Sequence, residues 1–494
     1  MATRWSEEIV TNESTTPLAE MMAAMLASLP YCAALSVAAV RPTQEVSNWV
    51  RSEGGVVNVA VGPTAHGLGL LAMDAMKPGD VAVSVPRACI LGAERADPSL
   101  QPLIESIPSD FWAARLAIRL LAERAKGDSS HMAPHIRSLP STYPLPIFWT
   151  PEAIEGLSGY PAVHHRLLKT VRFISSFSAE HLATASDDMF GGVNVGADAF
   201  GWAIASCSSR AFLVGGEREL VPVIDLGNHA ARGCANCEVA AASGRVELIV
   251  QRPVAMGEEI TYTYGALGND DMLLDYGFVP AYPNLHDRCE LAWSDGALLQ
   301  SAMAAAGAED AAVLDEHGFK PRALSRVIPR GKPSVALRQS GLEETAMAAC
   351  RIAAAHDEAA IRACDYGRKP LTPAASEVRA LRIAAAMVAI GITALPAADD
   401  DGNLRPSAVA APAAAASDGV PTNEDGVDLA ARLLADKRRL CRDALALYAD
   451  RIKALQDGKG KGAKRTGRAK KAPSRTRKQN AARPTSGKRG FGNR

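Results

Sequence analysis

The chain has 494 residues, 48% hydrophobic and 22% charged, which is a globular composition long enough for two or three folded units. Its 54 basic and 54 acidic residues balance formally, yet residues 459–494 hold fourteen Lys or Arg and no Asp or Glu. The remainder carries 40 basic against 54 acidic residues, so a body near −14 bears a tail near +14. This asymmetry indicates a polyanion partner, a targeting signal, or a tail that lies on its own acidic body.

Nine scattered cysteines argue against a disulfide framework and for a reducing compartment. We expect the cytoplasm, the nucleus or both, with the chloroplast or mitochondrion as an alternative. The segment Met21–Val40 has no charge, but its Ala, Met and interspersed polar residues make transfer into a membrane poor. A helix packed on the body, an organelle-targeting segment and membrane contact all stay open for it, with the helix favoured and membrane contact least expected.

In chain order, the first predicted elements are strands. The β-branched runs Val56–Val61 and Val81–Pro86 are bounded by Gly, Pro and Asp, and the sequence MKPGD before the second predicts a type II turn. From Phe111 the apolar spacing predicts a helix that Gly127 closes. Further helices are interrupted by LPSTYPLPIFW, whose prolines predict an extended passage.

Strand patterns return at Leu220, where LVPVIDL reads as strand-like. The sequence CEVAAASGRVELIV then predicts a hairpin that turns at Ser243–Gly244. After about Asn284 the chain is Ala-rich, and helices are predicted over Gly341–Cys364, Ala374–Ile392 and Val427–Gln456. The segment Ala394–Thr422 has no apolar period, which predicts a linker.

Three polar motifs follow in an unusual order. They are PVIDLGNHA (Pro222–Ala230), EEITYTYG (Glu258–Gly265) and LLDYGF (Leu273–Phe278), behind a Gly-rich stretch that begins HGLGLL at His66. In this order they resemble the SET-domain protein methyltransferases, and within those the Rubisco large-subunit methyltransferase-like branch, which is related to the actin-histidine enzymes. The resemblance covers roughly residues 45–390 and is strongest over 202–278.

The resemblance implies an α+β fold: a SET fold of small curved sheets with a pseudoknot, a helical insertion, and a C-terminal, mainly helical substrate-binding domain. The expected SET domain has two parts, at 46–95 and 201–283, separated by a helical insert at 96–200 and preceded by an N-terminal extension at 1–45. The substrate-binding domain is expected at 284–393. A linker at 394–423, a C-terminal helix at 424–457 and a disordered basic tail at 458–494 follow it.

The resemblance also implies S-adenosyl-L-methionine as methyl donor, a protein substrate and no metal. Tyr264 matches the catalytic tyrosine. The residues that match the donor-binding positions are His66, Gly67, Leu68, Arg210, Asn228 and His229, and those that match the substrate channel are Phe212, Asp225, Tyr276 and Phe278. Aromatic walls suit an amine that must lose its proton in a dry channel.

Two positions depart from the family pattern, and single residues have ordinary alternatives. The family more often has Glu or Arg where His66 stands, so only its backbone is expected to contact the donor. Gly268 replaces a serine before Asn269. Taken singly, each tyrosine is an ordinary strand aromatic and the Asn-His pair a structural brace; taken together, the motifs favour an active site.

The acceptor is expected to be lysine. The actin-histidine branch has Asn and Trp where this chain has Phe212 and Ile224, and apolar side chains favour an aliphatic lysine stem. Cys234 and Cys237 suggest zinc, but zinc-binding SET enzymes complete such a site with a Cys-rich segment just after the tyrosine. This chain has only Cys289 there, and structural zinc needs four ligands. Cys237 is therefore interpreted as a buried small residue that opens its strand.

Three functions are compatible with the sequence. The favoured one is a protein-lysine N-methyltransferase acting on a non-histone protein. The alternatives are a histidine methyltransferase of the same fold, and a SET-fold binding protein without turnover. The basic tail has no apolar period, which predicts disorder and a nuclear signal or a salt-sensitive contact with nucleic acid or another polyanion.

Overall fold

The structure, a computed structural model, describes residues 40–93, 97–183, 185, 189–193, 195–231, 233–242, 244–307, 319–328, 331, 333–396 and 423–458. The N-terminal extension before residue 40, most of the predicted linker and the tail from residue 459 lie outside these ranges. The chain divides into two compact units. Of the described residues, the first unit holds those up to Asp287 and those from Leu395 to Asp436, and the second holds those from Arg288 to Ala394 and from Lys437 to Gly458.

The first unit combines short strands with helices. Its strands are β1 Val56–Val57, β2 Val59–Thr64, β3 Gly67–Ala72, β4 Val81–Pro86, β5 Leu91–Gly92, β6 Ala211–Val214, β7 Glu217–Leu220, β8 Asn228–His229, β9 Cys237–Ala242, β10 Arg245–Val250 and β11 Glu259–Tyr262. Its helices are α1 Val40–Ser52, α2 Gln101–Ser106, α3 Trp112–Ala125, α4 Ala133–Ser138, α5 Pro151–Glu155, α6 Pro161–Phe177, α7 Ala197–Arg210 and α8 Asn269–Tyr276. The predicted α+β class is confirmed.

Three small sheets build the core of this unit, in the strand orders β1-β4-β10-β9, β2-β3-β11-β8 and β5-β7-β6. Strand β10 alternates strictly, with Val246, Leu248 and Val250 turned inward. From the second sheet, Leu70 and Ile260 join the same buried cluster. Burial of these apolar side chains, at about 25 cal/mol per Å², holds the sheets around one core.

Several predicted elements are confirmed. The hairpin forms between β9 and β10, with Arg245 opposite Ala242. In the MKPGD turn, the Asp80 N–H donates to the Lys77 carbonyl at 3.0 Å, and Gly79 has the positive φ of 94° that a type II turn requires.

The helical insertion also forms as expected. Helix α3 begins one residue later than predicted, and α3 packs against α7. The extended passage after α4 is fixed in part by Trp202, whose Nε1 donates to the Pro140 carbonyl at 2.8 Å.

The prediction that LVPVIDL is strand-like was wrong. Strand β7 ends at Leu220, and the chain passes through Val223 at φ 69° into a 3₁₀ turn at Ile224–Leu226. Pro222 has no N–H to offer a sheet, which ends the pairing there. The segment is therefore a tight turn that delivers β8.

Strand β11 is held by a side chain as well as by its neighbours. It pairs antiparallel with β3 and parallel with β8. Asn236, which is 1% exposed, donates through Nδ2 to the Glu259 carbonyl at 2.7 Å and accepts the Thr261 N–H at Oδ1 at 2.8 Å. The sequence did not single out Asn236, although it fixes the strand that leads to Tyr264.

The second unit is mainly helical but contains a sheet that the sequence did not predict. Strand β12 Cys289–Ala292 pairs with β13 Ser334–Arg338, which pairs with β14 Gly341–Leu342. The helices of this unit are α9 Ala297–Ala305, α10 Phe319–Val327, α11 Glu344–Ala354, α12 Glu358–Ala363 and α13 Ala374–Ala394. The last helix, α14 Asn423–Gln456, has its residues up to Asp436 in the first unit and the others in the second.

The single helix predicted over Gly341–Cys364 was wrong in two respects. Gly341 and Leu342 form β14, and the helical part breaks before Asp357, whose carboxylate caps α12 by accepting the Ala360 N–H at 2.7 Å. An Asp that can cap a new helix competes with continuation of the old one. The predicted helices at 374–392 and 427–456 are confirmed with small shifts at their ends.

Within the described ranges, no helix is both long enough and apolar enough to cross a membrane. The uncharged segment Met21–Val40 lies almost wholly outside those ranges.

Replacing Asn236 with Ala should lower the free energy of unfolding by about 2–4 kcal/mol, because two buried backbone groups of β11 lose their partner. Chemical denaturation measures this loss. Asn48→Ala is the matched control, since Asn48 is exposed and only accepts from Arg51, and its effect should stay within about 0.5 kcal/mol. Equal effects of the two substitutions would contradict the role given to Asn236.

Candidate active site

Tyr264 lies just beyond β11 and is held at two points. The strand ends at Tyr262, two residues before Tyr264. Its hydroxyl donates to the Gly227 carbonyl at 2.9 Å, and its backbone N–H donates to His229 Nδ1 at 3.1 Å. The parallel pairing of β8 with β11 sets His229 opposite Tyr262 and so brings these groups together.

The hydroxyl of Tyr264 is a neutral hydrogen-bonding group. Burial chiefly raises its pKa to about 12, the charge of Arg210 opposes the shift and the charge of Asp225 adds to it. At neutral pH the phenol therefore keeps its proton. It can orient a nitrogen by hydrogen bonding, and it is not poised to act as a phenolate base.

Aromatic rings lie beside the Tyr264 ring and its neighbours. The ring of Tyr276 stacks on that of Tyr264 with centroids 4.7 Å apart, and Phe278 meets Tyr276 edge to face at 6.4 Å. Phe278 also lies 6.3 Å from the His229 ring. Gly277 makes the sharp turn between them at φ 77°, where a Cβ would lie 2.7 Å from the Pro144 carbonyl oxygen. The structure thus brings the predicted channel residues Tyr276 and Phe278 to Tyr264.

His229 is held as a neutral imidazole. Burial lowers its pKa from 6.5 to about 4. Since Nδ1 accepts the Tyr264 N–H, the ring proton resides on Nε2. The ring therefore presents one N–H donor and no charge.

Asn228 ties β8 to the Gly-rich loop. Its Nδ2 lies 3.2 Å from the Leu68 carbonyl, 3.2 Å from Thr64 Oγ1 and 2.8 Å from Glu259 Oε1. Gly67 has φ 95° and only glycine adopts this readily. A Cβ at Gly69 would lie 2.7 Å from Asn228 Nδ2. The loop backbone therefore abuts the amide.

His66 begins that loop. Its side chain is exposed, and its backbone N–H donates to Thr64 Oγ1 at 3.1 Å. The predicted residues Gly67, Leu68 and Asn228 lie together, whereas His66 contributes backbone.

Arg210 and Asp225 form the base of the site. Arg210 is the last residue of α7, and its Nη1 donates to the Asp225 carbonyl at 2.7 Å. The guanidinium also lies 5.8 Å from the centroid of the Tyr143 ring. The Asp225 carboxylate accepts a hydrogen bond from His135, a residue that no sequence motif marked.

The two residues expected to govern the acceptor differ in their surroundings. Phe212 is partly exposed on β6, with its ring 5.7 Å from that of Tyr262. Ile224 is fully buried, and its carbonyl accepts the Tyr262 hydroxyl at 3.0 Å. The Phe212 side chain is therefore accessible to a ligand, whereas that of Ile224 is not.

Cys237 opens β9 and is 4% exposed, which confirms its interpretation as a buried strand residue, and Cys234 is exposed. In the part of the chain that the structure describes, no three His, Cys, Asp or Glu side chains cluster as metal ligands would.

We expect the imidazole of His229 to stay neutral down to about pH 5, because its pKa is about 4. Between pH 6.5 and 4 an unfolded chain would bind a proton that the folded one does not, so stability should fall as the pH falls through this range. NMR titration of ¹³C-labelled histidine measures the pKa. His229→Asn, which keeps an acceptor for the Tyr264 N–H without titrating, should lose this part of the pH dependence. A midpoint near 6.5 would contradict the account.

The chain is similar to known proteins in sequence. Residues 67–265 match the family model described as SET domain. N-lysine methyltransferase SETD6 of Rattus norvegicus is 26% identical over 249 residues, which are 45% of this chain and 50% of that protein. Actin-histidine N-methyltransferase of Drosophila melanogaster is 26% identical over 306 residues, covering 57% and 55%. The chain thus spans about half the length of the curated relatives it matches.

The fold is also similar to solved structures. The structure of Rubisco LSMT bound to AdoMet superposes with a TM-score of 0.61 at 16% identity, covering 88% of this chain and 98% of that chain. The SET domain of LSMT bound to MeLysine and AdoHcy gives 0.59 at 16% identity, covering 86% and 94%. At this identity the likeness shows the fold alone. Residues 67–265 are therefore similar to SET domains in sequence, and the chain has the fold of Rubisco LSMT.

Proposed function

We propose that this chain is an S-adenosyl-L-methionine-dependent protein-lysine N-methyltransferase that acts on a non-histone protein. The observation that carries the proposal is the fixed hydroxyl of Tyr264. It is protonated at neutral pH, bonded to the Gly227 carbonyl and lined by the rings of Tyr276 and Phe278. A hydroxyl beside a backbone carbonyl at the end of an aromatic channel can align an amine without charging it.

The residues that would hold the donor are Gly67, Leu68, Asn228, His229 and Arg210, with the backbone of His66. A Cβ at Gly69 would lie 2.7 Å from Asn228 Nδ2, so the loop backbone and the amide lie close together. Such a set fits a ligand with a nucleoside and an amino-acid group, because it offers backbone polar groups, an amide and an uncharged imidazole. When bound, S-adenosyl-L-methionine supplies a methyl group on a positively charged sulfur.

The chain's own contribution to transfer is alignment and desolvation. A lysine amine has an ordinary pKa near 10.4 and must be neutral to attack. A dry aromatic channel lowers that pKa by penalising the charged form. Holding the nitrogen in line by the Tyr264 hydroxyl supplies the orientation that such a displacement needs.

Lysine is preferred over histidine as the acceptor because Phe212 offers an apolar surface and no hydrogen-bonding group. The relatives include both an N-lysine and an actin-histidine methyltransferase, so histidine is the second candidate. An imidazole acceptor would profit from a polar partner, which Phe212 and Ile224 do not provide.

The proposed partners follow from the relatives and from the charge of the tail. A folded protein substrate is proposed because both named relatives are protein methyltransferases, and the mainly helical second unit is the part we propose to bind it. The basic tail is proposed as a contact for nucleic acid or another polyanion, or as a nuclear signal, from its fourteen basic residues. We propose the cytoplasm or the nucleus as the location, with an organelle as the alternative.

Replacing Tyr264 with Phe should lower methyl transfer by about 10²-fold or more, since one preorganised hydrogen-bonding group is lost while the ring stays. The assay is transfer of labelled methyl from S-adenosyl-L-methionine to proteins of a cell extract. Tyr262→Phe is the matched control: its hydroxyl also donates to a carbonyl of the same turn, that of Ile224, at 3.0 Å. The Tyr262 hydroxyl is buried and supports only the turn, so its loss should cost about 1 kcal/mol of stability and lower transfer by less than about tenfold, well below the effect of Tyr264→Phe.

Two outcomes would contradict the proposal. If Tyr264→Phe transfers methyl as fast as the wild type, the catalytic assignment is wrong. If the wild type labels nothing and calorimetry shows no binding of S-adenosyl-L-methionine, a binding protein without turnover becomes the better account.

A further inference from the structure

A histidine of the helical insertion contacts the base of the candidate site. His135 lies in α4, and its Nε2 is 2.9 Å from Asp225 Oδ2. The His135 side chain is 1% exposed and that of Asp225 is 0% exposed. Withdrawing both groups from water is costly unless the contact between them is retained. The pair joins two segments that are 90 residues apart in the chain.

The carboxylate of Asp225 is restrained on one side only. Oδ2 is taken by His135, whereas Oδ1 is buried without a hydrogen-bond partner. Because Oδ1 makes no hydrogen bond within the described part of the chain, the position of the carboxylate depends on its contact with His135. The backbone carbonyl of the same residue is occupied by Arg210.

The turn that carries Asp225 also carries the carbonyls that hold the tyrosines. Ile224 accepts from Tyr262 and Gly227 accepts from Tyr264. The turn begins at Val223, a β-branched residue at φ 69°. Such a conformation costs on the order of 1–3 kcal/mol and persists only where its surroundings hold it.

His135 is one of the restraints on that turn, and it acts from outside the small sheets. Its own backbone is fixed, since its carbonyl accepts the Ser138 hydroxyl at 2.7 Å. A displacement of His135 would therefore shift first Asp225 and then the Gly227 carbonyl, two residues further along the chain.

We infer that His135 is a positioning residue for methyl transfer. It holds Asp225 Oδ2 and so fixes the turn that keeps the Gly227 carbonyl in hydrogen-bonding reach of the Tyr264 hydroxyl. This inference rests on the proposed methyltransferase function and adds a residue of the helical insertion to it. His135 touches neither donor nor acceptor in this account.

The test compares three substitutions. His135→Leu removes the donor at similar volume, and His135→Gln keeps a side-chain N–H that reaches about as far as Nε2. In His135→Asn the side chain is polar but too short to reach Asp225. This variant replaces the Leu variant in the comparison if the Leu variant does not fold. We expect the Leu or Asn variant to lower kcat by about 10- to 100-fold and the Gln variant to recover to within about fivefold.

Binding of S-adenosyl-L-methionine, measured by calorimetry on the same samples, should stay within about threefold in all variants. A merely structural role would instead weaken donor binding and activity together, and the Gln variant would not restore either. That result, or an unchanged kcat in the Leu or Asn variant, would overturn the inference.

A readout without activity separates this inference from the proposed function. In crystal structures, the Tyr264 hydroxyl should remain near 2.9 Å from the Gly227 oxygen in the wild type and the Gln variant. It should exceed hydrogen-bonding distance in the Leu or Asn variant, with the Asp225 carboxylate rotated. If the wild type transfers no methyl group, the proposed function fails, yet these structures still decide whether His135 positions the turn; an unmoved turn would overturn it.

Discussion

Three backbone carbonyls of one turn support the candidate site. Ile224, Asp225 and Gly227 present their oxygens to Tyr262, Arg210 and Tyr264, each at 3.0 Å or less. Buried carbonyls need partners, and these are the donors that the site must hold in place. The short parallel pairing of β8 with β11 then fixes His229 against the Tyr264 backbone. Apolar packing of the sheets alone would leave these side chains free to rotate; the turn gives them one arrangement.

The sequence predicted the parts of the fold that depend on local pattern. The Lys77–Asp80 turn, the β9–β10 hairpin and helix α3 follow from turn residues, alternation and helical periodicity, and they form where predicted. The segment around Pro222 failed because its apolar residues are buried in a turn, and burial alone does not distinguish a turn from a strand. The sheet of the second unit was missed because β12 is short and pairs with β13, which is distant from it in sequence, and because β14 has only two residues.

The site was predictable to the extent that a family motif marks it. The order of the Asn-His pair and the tyrosines identified Asn228, His229, Tyr264 and Tyr276, and the structure brings the four together. The supporting residues carried no such signal. Asn236 braces β11 and His135 holds Asp225, but each is a single polar residue in an unremarkable stretch, and its role arises from contacts made in the folded chain. Motifs mark the groups that act; the groups that hold them are visible only in three dimensions.

The central claim is that the hydroxyl of Tyr264 and its aromatic surroundings align a lysine amine for methylation. The most direct measurement is tandem mass spectrometry of proteins incubated with the full chain and methyl-labelled S-adenosyl-L-methionine, which identifies the modified residue. We predict that the labelled methyl group is found on the side-chain nitrogen of lysine. Label on histidine would contradict the reading of the apolar Phe212 surface, and the absence of label on any protein would contradict the claim as a whole.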